Sequence, residues 1–146
     1  MRHLALTAAA LATAMTFGPA PQARADMMSA CAGDISSLCP DVPNGRGRIS
    51  ACLMGYSDKL SAACGPEVAA VAASGSRNIL VPSGVRKALR PGFQAPLPAS
   101  CDADAANLCS GIPATEGRVF ACLYARDAKV GAACKGDIDA ALKAAN

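Results

Sequence analysis

The stretch CAGDISSLCPDVPNGRGRISACLMGYSDKLSAAC, Cys31 to Cys64, decides how the rest of the chain is read. Its cysteines are spaced C-x7-C-x12-C-x11-C, and the same spacing returns from Cys101 to Cys134 with every cysteine displaced by seventy positions. In gapless register 14 of the 34 positions are identical, among them Asp34/Asp104, Leu38/Leu108, Pro43/Pro113, Gly47/Gly117, Arg48/Arg118, Leu53/Leu123 and Lys59/Lys129. No cysteine lies outside the two copies, so one local explanation has to serve both.

Within a copy the periodicity is helical. Cys31, Ile35, Leu38 and Cys39 fall on one face of a 3.6-residue repeat, with Ser29 placed to cap the first turn and Pro40 to stop it. The second copy sets Ser100 as cap and Cys101, Ala105, Leu108 and Cys109 on the face. Pro40 to Gly47 is turn chemistry, two prolines and an Asn-Gly pair, and its equivalent Ser110 to Gly117 keeps the central proline and the last glycine. A longer second helix is expected next, with Ile49, Cys52, Leu53, Tyr56, Leu60 and Ala63 on its apolar side. Val119, Cys122, Leu123 and Val130 match them, and Arg126 stands in place of Tyr56, which reads as an aromatic at the edge of the core. Gly65-Pro66 and Lys135-Gly136 break that helix. A third, alanine-rich and lightly packed, is expected over Glu67 to Ala73, and again over Ile138 to Ala145 with Asp137 as its cap.

Four cysteines allow three pairings in each copy. A helix from Cys31 to Cys39 separates the two by roughly 12 Å of rise, beyond the roughly 7 Å limit between bridged Cα atoms, so neighbours do not pair. Two helices joined by a short turn lie antiparallel, which faces Cys39 with Cys52 and leaves Cys31 and Cys64 to close the open end. The crossed pairing would join opposite ends of the hairpin. The expected bonds are Cys39–Cys52 and Cys31–Cys64, repeated as Cys109–Cys122 and Cys101–Cys134. One tension stays open: a helix from Cys52 to Cys64 rises about 18 Å against about 12 Å for the first.

Residues 1–25 read as an export signal: Arg2, an apolar run from Leu4 to Phe17, a Gly18-Pro19 break and Ala23-Arg24-Ala25 as a cleavage site, so that the mature chain begins at Asp26. The run is short of the roughly 20 residues of a membrane span. Met28-Ser29-Ala30-Cys31 invites a lipidation reading, but Cys31 has an internal counterpart in Cys101, which no signal precedes. Eight cysteines behind such a signal imply an oxidising compartment, periplasmic or secreted.

The expected fold is all-α: two disulfide-stapled helical-hairpin repeats of two to three helices, residues 26–73 and 101–146, joined by a Pro-rich basic linker, residues 74–100. Removing Arg2 and Arg24 leaves 12 basic residues against 11 acidic, a net of +1, which does not mark a nucleic-acid binder. The surplus is concentrated in the linker, where Arg77, Arg86, Lys87 and Arg90 accompany Pro82, Pro91, Pro96 and Pro98. Val85 to Leu89 has room for a helical turn or two. The segment reads as a connector, or as a strap for an anionic envelope component. Phe93 alone interleaves the cations, too little for base stacking.

The only histidine, His3, lies in the signal, so the mature chain lacks the usual general base. Asp102 and Asp104 sit at a helix start, where carboxylates favour the dipole. No C-x2-4-C knuckle marks a zinc site and no C-x-x-C a thiol oxidoreductase. The chain therefore reads as a non-catalytic exported module without cofactor or metal, structural in the envelope or binding a protein or polyanionic partner. The alternative is redox or metal handling through the cysteines. Arg48 and Arg118, at equivalent helix starts, are candidate contacts; cations there oppose the dipole unless paired with Asp34/Asp104 or with a ligand.

The pattern C-x2-D-I-x2-L-C, a Pro/Gly turn, then G-R-x2-A-C-L-x5-K-L-x2-A-C resembles the cysteine-rich repeat of the Golgi apparatus protein family, also called the cysteine-rich fibroblast growth factor receptor family. Gly47-Arg48-x-x-Ala51-Cys52-Leu53 carries most of the likeness. The resemblance implies a secreted or lumenal helical repeat with disulfides and supplies no catalytic residues. The animal members, which bind growth factors and selectin, are long anchored ectodomains of many repeats. This chain has two repeats and a short alanine-rich signal of bacterial type, so growth-factor binding is not carried over.

A module of about 45 residues rarely stabilises itself by apolar burial alone, and the first offers only Ile35, Leu38, Ile49, Leu53, Tyr56 and Leu60 as large apolar side chains. Excess reductant should therefore abolish the helical circular dichroism of both copies; full retention of the signal would show that the core suffices.

Overall fold

The structure, a computed structural model, describes residues 27–73, Val85, 96–114 and 117–144. Six helices are numbered here in chain order: α1 Ala32–Leu38, α2 Arg48–Gly55, α3 Cys64–Ala73, α4 Asp102–Leu108, α5 Arg118–Ala125 and α6 Ala132–Ala144, with a 3-10 turn at Ala99–Cys101 before α4. The described residues contain no strand, and none of their helices is long and apolar enough to cross a membrane. The fold is all-α.

The eight sulfurs close four bonds: Cys31–Cys64, Cys39–Cys52, Cys101–Cys134 and Cys109–Cys122. This is the connectivity an antiparallel hairpin demands. The Cys39–Cys52 and Cys109–Cys122 bridges hold Cα atoms 6.2 and 6.0 Å apart beside the turn, and the two open-end bridges hold theirs at 4.6 Å. No cysteine is left free.

The second helix is shorter than its apolar pattern suggests, and this removes the mismatch of lengths. α2 stops at Gly55. Tyr56 to Ala63 then fold back through tight turns, with the Ser57 amide donating to the Met54 carbonyl, Lys59 to Tyr56 and Cys64 to Ser61. Ser57 and Asp58 favour such turns over helix, and the folded-back loop returns Cys64 to Cys31. Leu60 consequently reaches only the core margin, and Ala63 is exposed. Tyr56 is buried, as its place in the pattern implies.

The helix starts also differ from the expected ones. Ser29 lies inside a helical turn at residues 27–30, and the chain bends at Cys31, which occupies the N-cap of α1 without a side-chain capping bond. Ser100 belongs to the 3-10 turn and its hydroxyl donates to Asp137 at 2.6 Å, so Cys101 takes the cap of α4. Asp137 is accordingly within α6, which begins at Ala132 and not at Ile138, while α3 begins at Cys64 and holds Pro66 in its first turn. Pro costs little there because first-turn amides have no intrahelical partner. Gly47 and Gly117 occupy the caps of α2 and α5 with φ of 69° and 64°, a left-handed conformation that explains their retention in both copies.

α2 and α5 pack against each other, joining the two cysteine segments through the middle of the molecule. That contact buries more than one face of α2: Ala51 and Met54 are buried as well as Ile49, Cys52 and Leu53, and in α5 Phe120, Ala121 and Ala125 join Val119, Cys122 and Leu123. A one-sided apolar stripe describes a helix facing only its own hairpin; here the opposite face meets the other segment. Gly55 permits the close crossing, because a Cβ at that position would lie 3.2 Å from the Arg118 carbonyl oxygen and 3.5 Å from the Cys122 Cβ. α3 and α6 are attached through Val68 and Ile138, buried at equivalent positions. Val85, in the segment read as a connector, is helical and fully buried in the same core.

A leucine in place of Gly55 would meet backbone that cannot retreat without parting α2 from α5. Gly55→Leu should lower the unfolding free energy by about 1–3 kcal/mol, measured by chemical denaturation of the oxidised protein, whereas a leucine at Gly33, which faces open space, should leave it nearly unchanged.

Candidate functional site

The seam between α2 and α5 gathers the charged groups that the sequence distributes along both segments. Arg48 and Arg118, singled out at equivalent helix starts, both point across it. The Arg48 guanidinium donates to Asp127 at 2.7 Å. Arg118, itself buried, pairs with Asp58 and donates from Nε to the Gly55 carbonyl at 3.0 Å. Neither takes the carboxylate of its own copy. Each partner is a carboxylate from the loop after the opposite central helix, so the adverse charge at one helix start is balanced by the other segment.

Asp34 and Asp104 serve a different purpose. Asp34 accepts the Ser61 amide at 2.9 Å and the Ser61 hydroxyl at 2.7 Å, and Ser61 Oγ in turn accepts from the Cys64 amide at 3.2 Å. These bonds fasten the loop that carries Cys64 onto α1. Asp104 repeats the arrangement with the Gly131 amide at 2.9 Å. The Ser61 hydroxyl and then its amide hold the Asp34 carboxyl below the usual carboxylate range.

The two ends of the seam are unequal. At one end Arg48 meets Asp127, Lys129 and Arg126 lie near Asp41, and Arg46 shares the surroundings of the Tyr124 phenol with Arg48 and Asp127. Lys129 reaches Asp41 at 2.8 Å, Arg126 donates to the Leu38 carbonyl at 2.9 Å, and the Tyr124 hydroxyl donates to the Arg46 carbonyl at 2.6 Å. The bond from Lys129 holds the Asp41 carboxyl below its usual range, with the charges of Lys129 and then Arg126 adding to it. Burial pushes the Tyr124 phenol up; Asp127 adds to the rise, and Arg46 and Arg48 oppose it. At the other end Lys59 lies over the Tyr56 ring, 5.6 Å from its centre, and its Nζ approaches Gly111, the position corresponding to Asp41. Desolvation pushes the Asp58 carboxyl there up, but the bond from Arg118, a backbone hydrogen bond and the charges of Arg118 and Lys59 together outweigh it and leave the carboxyl lowered. A shallow groove of about 210 Å³ runs between α2 and α3, bordered by Met54, Leu60, Val68 and Arg118.

Of the cations marked in the sequence, Arg77, Arg86, Lys87 and Arg90 lie outside the described residues. Asp58, Tyr124 and Asp127 were not marked, and their counterparts, Ala128, Met54 and Ser57, offer no signal because the duplication is not kept there. Arg126 carried a signal in replacing Tyr56. Among the described residues no three His, Cys, Asp or Glu side chains gather as a metal site, and thiolate ligation would first require reduction of a buried disulfide. Compared with protein-family models, curated proteins and solved structures, the chain has no match in any of the three.

The Asp34 bonds carry a pH signature. A carboxyl whose folded pKa is lowered stabilises the fold above its unfolded pKa and loses that contribution as pH falls through the folded value. Asp34→Asn should therefore melt below the parent protein at pH 7. The gap should close as the pH is taken below about 4, the ordinary carboxylate range, when thermal unfolding is followed across pH; a constant gap would show that the charge of Asp34 is immaterial.

Proposed function

We propose that the chain is a non-catalytic exported module, held in shape by its disulfides, that acts in the periplasm or outside the cell by binding a protein or polyanionic envelope partner. The single observation that carries this reading is that all eight cysteines close into four buried bonds. Such a framework persists where the surroundings are oxidising and is rare where thiol reductants are maintained. The signal-like residues 1–25 supply the route to that compartment. The use made of the ionisable groups supports a non-catalytic role: Asp34, Asp58, Arg48 and Arg118 are engaged in holding loops and segments together.

The resemblance to the cysteine-rich repeat of the Golgi apparatus protein family fits this proposal through the spacing of the cysteines and the Gly47-Arg48-x-x-Ala51-Cys52-Leu53 core. On this reading Gly47 is retained for its left-handed cap, Ala51 for the crossing of α2 with α5, and Arg48 for its bond across the seam. The competing reading, redox or metal handling through the cysteines, requires thiols in the native protein.

Protein recovered from its native source without reductant should expose no titratable thiol until it is both denatured and reduced, should begin at Asp26 by mass spectrometry, and should fractionate with the periplasm or medium. Free thiols, co-purified metal or retention of residues 1–25 in a cytoplasmic fraction would overturn the proposal.

A further inference from the structure

We propose that the basic end of the seam, formed by Arg46, Arg48, Arg126 and Lys129, is a binding site for a phosphate group, free in solution or carried on a lipid headgroup; this rests on the partner-binding reading above and names the chemistry of the partner.

Three observations meet at that end. The first is hydrogen bonding. The Nε atoms of Arg48 and Arg126 are buried and have no partner, although a buried guanidinium N–H left without an acceptor is costly. The fold does not impose this: Arg118, at the position equivalent to Arg48, satisfies both Nε and Nη2 at the opposite end. Each of the two forks is engaged at one nitrogen only, Arg48 with Asp127 and Arg126 with the Leu38 carbonyl, and the planar fork of arginine suits a second, oxygen-rich acceptor.

The second is charge. Four cations face two carboxylates, Asp41 and Asp127, a net of +2. Neither Arg46 nor Arg126 forms an ion pair with a carboxylate among the described residues, although Arg126 lies near enough to Asp41 for its charge to lower that carboxyl. A phosphate monoester, close to dianionic at neutral pH, balances that surplus, whereas a single carboxylate leaves half of it. The duplication provides an internal comparison, since the residues at the positions equivalent to Arg46 and Arg126 are Glu116 and Tyr56. One end of the seam has become basic where its counterpart has not.

The third is backbone strain. Arg46 has φ of 51°, and the other described residues with positive φ are glycines. A side chain in the left-handed region is disfavoured, by roughly 1–2 kcal/mol, and strain of this kind accumulates where position matters. The Tyr124 hydroxyl pins the Arg46 carbonyl from the opposite segment, holding the arginine at the edge of the cluster. Its side chain is exposed, while Arg48 and Arg126 are partly covered.

The test uses the oxidised mature chain and two probes at constant ionic strength: inorganic phosphate against chloride, followed by titration calorimetry and thermal shift, and phosphatidylcholine vesicles with and without phosphatidic acid, followed by sedimentation. Phosphate binding without vesicle binding supports a soluble source; vesicle binding that requires phosphatidic acid supports a lipid source. Arg126→Tyr and Arg46→Glu, which install the residues of the opposite copy, should weaken binding roughly tenfold or more, while Lys135→Glu, exposed and outside the cluster, should leave it unchanged. Arg46→Gly guards against variants that merely unfold: it relieves the left-handed strain and should raise the melting temperature without phosphate, yet weaken binding. Wild-type affinity in Arg46→Gly and Arg126→Tyr, or no difference between phosphate and chloride together with no dependence on phosphatidic acid, would overturn the site. That failure would leave the thiol and export results standing, whereas free thiols in native protein would remove the broader reading whatever phosphate does.

Discussion

Covalent closure governs the rest of this structure. The bridges close loops with sequence separations of 13 and 33 residues in each segment, and each removes about 3 to 4 kcal/mol of denatured-state entropy in the loop-closure model. That is comparable with the whole net stability of a small domain. The core around them is modest: Leu53, Leu123 and Val85 are the largest fully buried side chains besides the cysteines. Because six of the sulfurs sit where helices begin and end and the other two, of Cys52 and Cys122, sit inside α2 and α5, the bonds also fix geometry. Cys39 and Cys52 hold the turn side of one hairpin, and Cys31 and Cys64 oblige the chain to leave α2 early and fold back.

With each hairpin fixed, its second helix still has an uncovered apolar face, and the two segments cover one another through α2 and α5. The crossing brings basic helix starts against carboxylates of the opposite loops. Two ion pairs, Arg48–Asp127 and Arg118–Asp58, thus do in trans what a capping carboxylate does locally, neutralising a cation where the helix dipole disfavours one. Arg118 is the more deeply enclosed, and its second bond goes to the carbonyl of Gly55, the residue at which a Cβ would press on the Arg118 backbone oxygen. Packing and electrostatics at the seam are therefore one problem with one solution. The proposed phosphate site follows from the same crossing, because its cations come from the turn before α2 and the first residue of α2 in one segment and from the loop after α5 in the other.

Much of this was legible from residue order. Helical periodicity, the internal duplication and the rise per residue led to the all-α class and to the bonded cysteine pairs, since those are local properties on which both copies agree. The left-handed glycines were visible as Gly47 and Gly117, retained where the surrounding turns diverge. Helix ends were less legible. Ser29 and Ser100 have the chemistry of caps but lie two residues and one residue before the caps used, because Cys31 and Cys101 are held by their bridges at the bends where α1 and α4 begin.

By itself the sequence determined what short-range physics controls: which stretches are helical, and which cysteines are near enough to bond. Tertiary structure alone decided which carboxylate meets Arg48 and Arg118, why α2 is buried on more than one face, that Val85 belongs to the core, and that Arg126 stands beside Asp41. Those relations join residues sixty to ninety positions apart. No periodicity encodes them, because they depend on the angle and depth at which two finished hairpins meet.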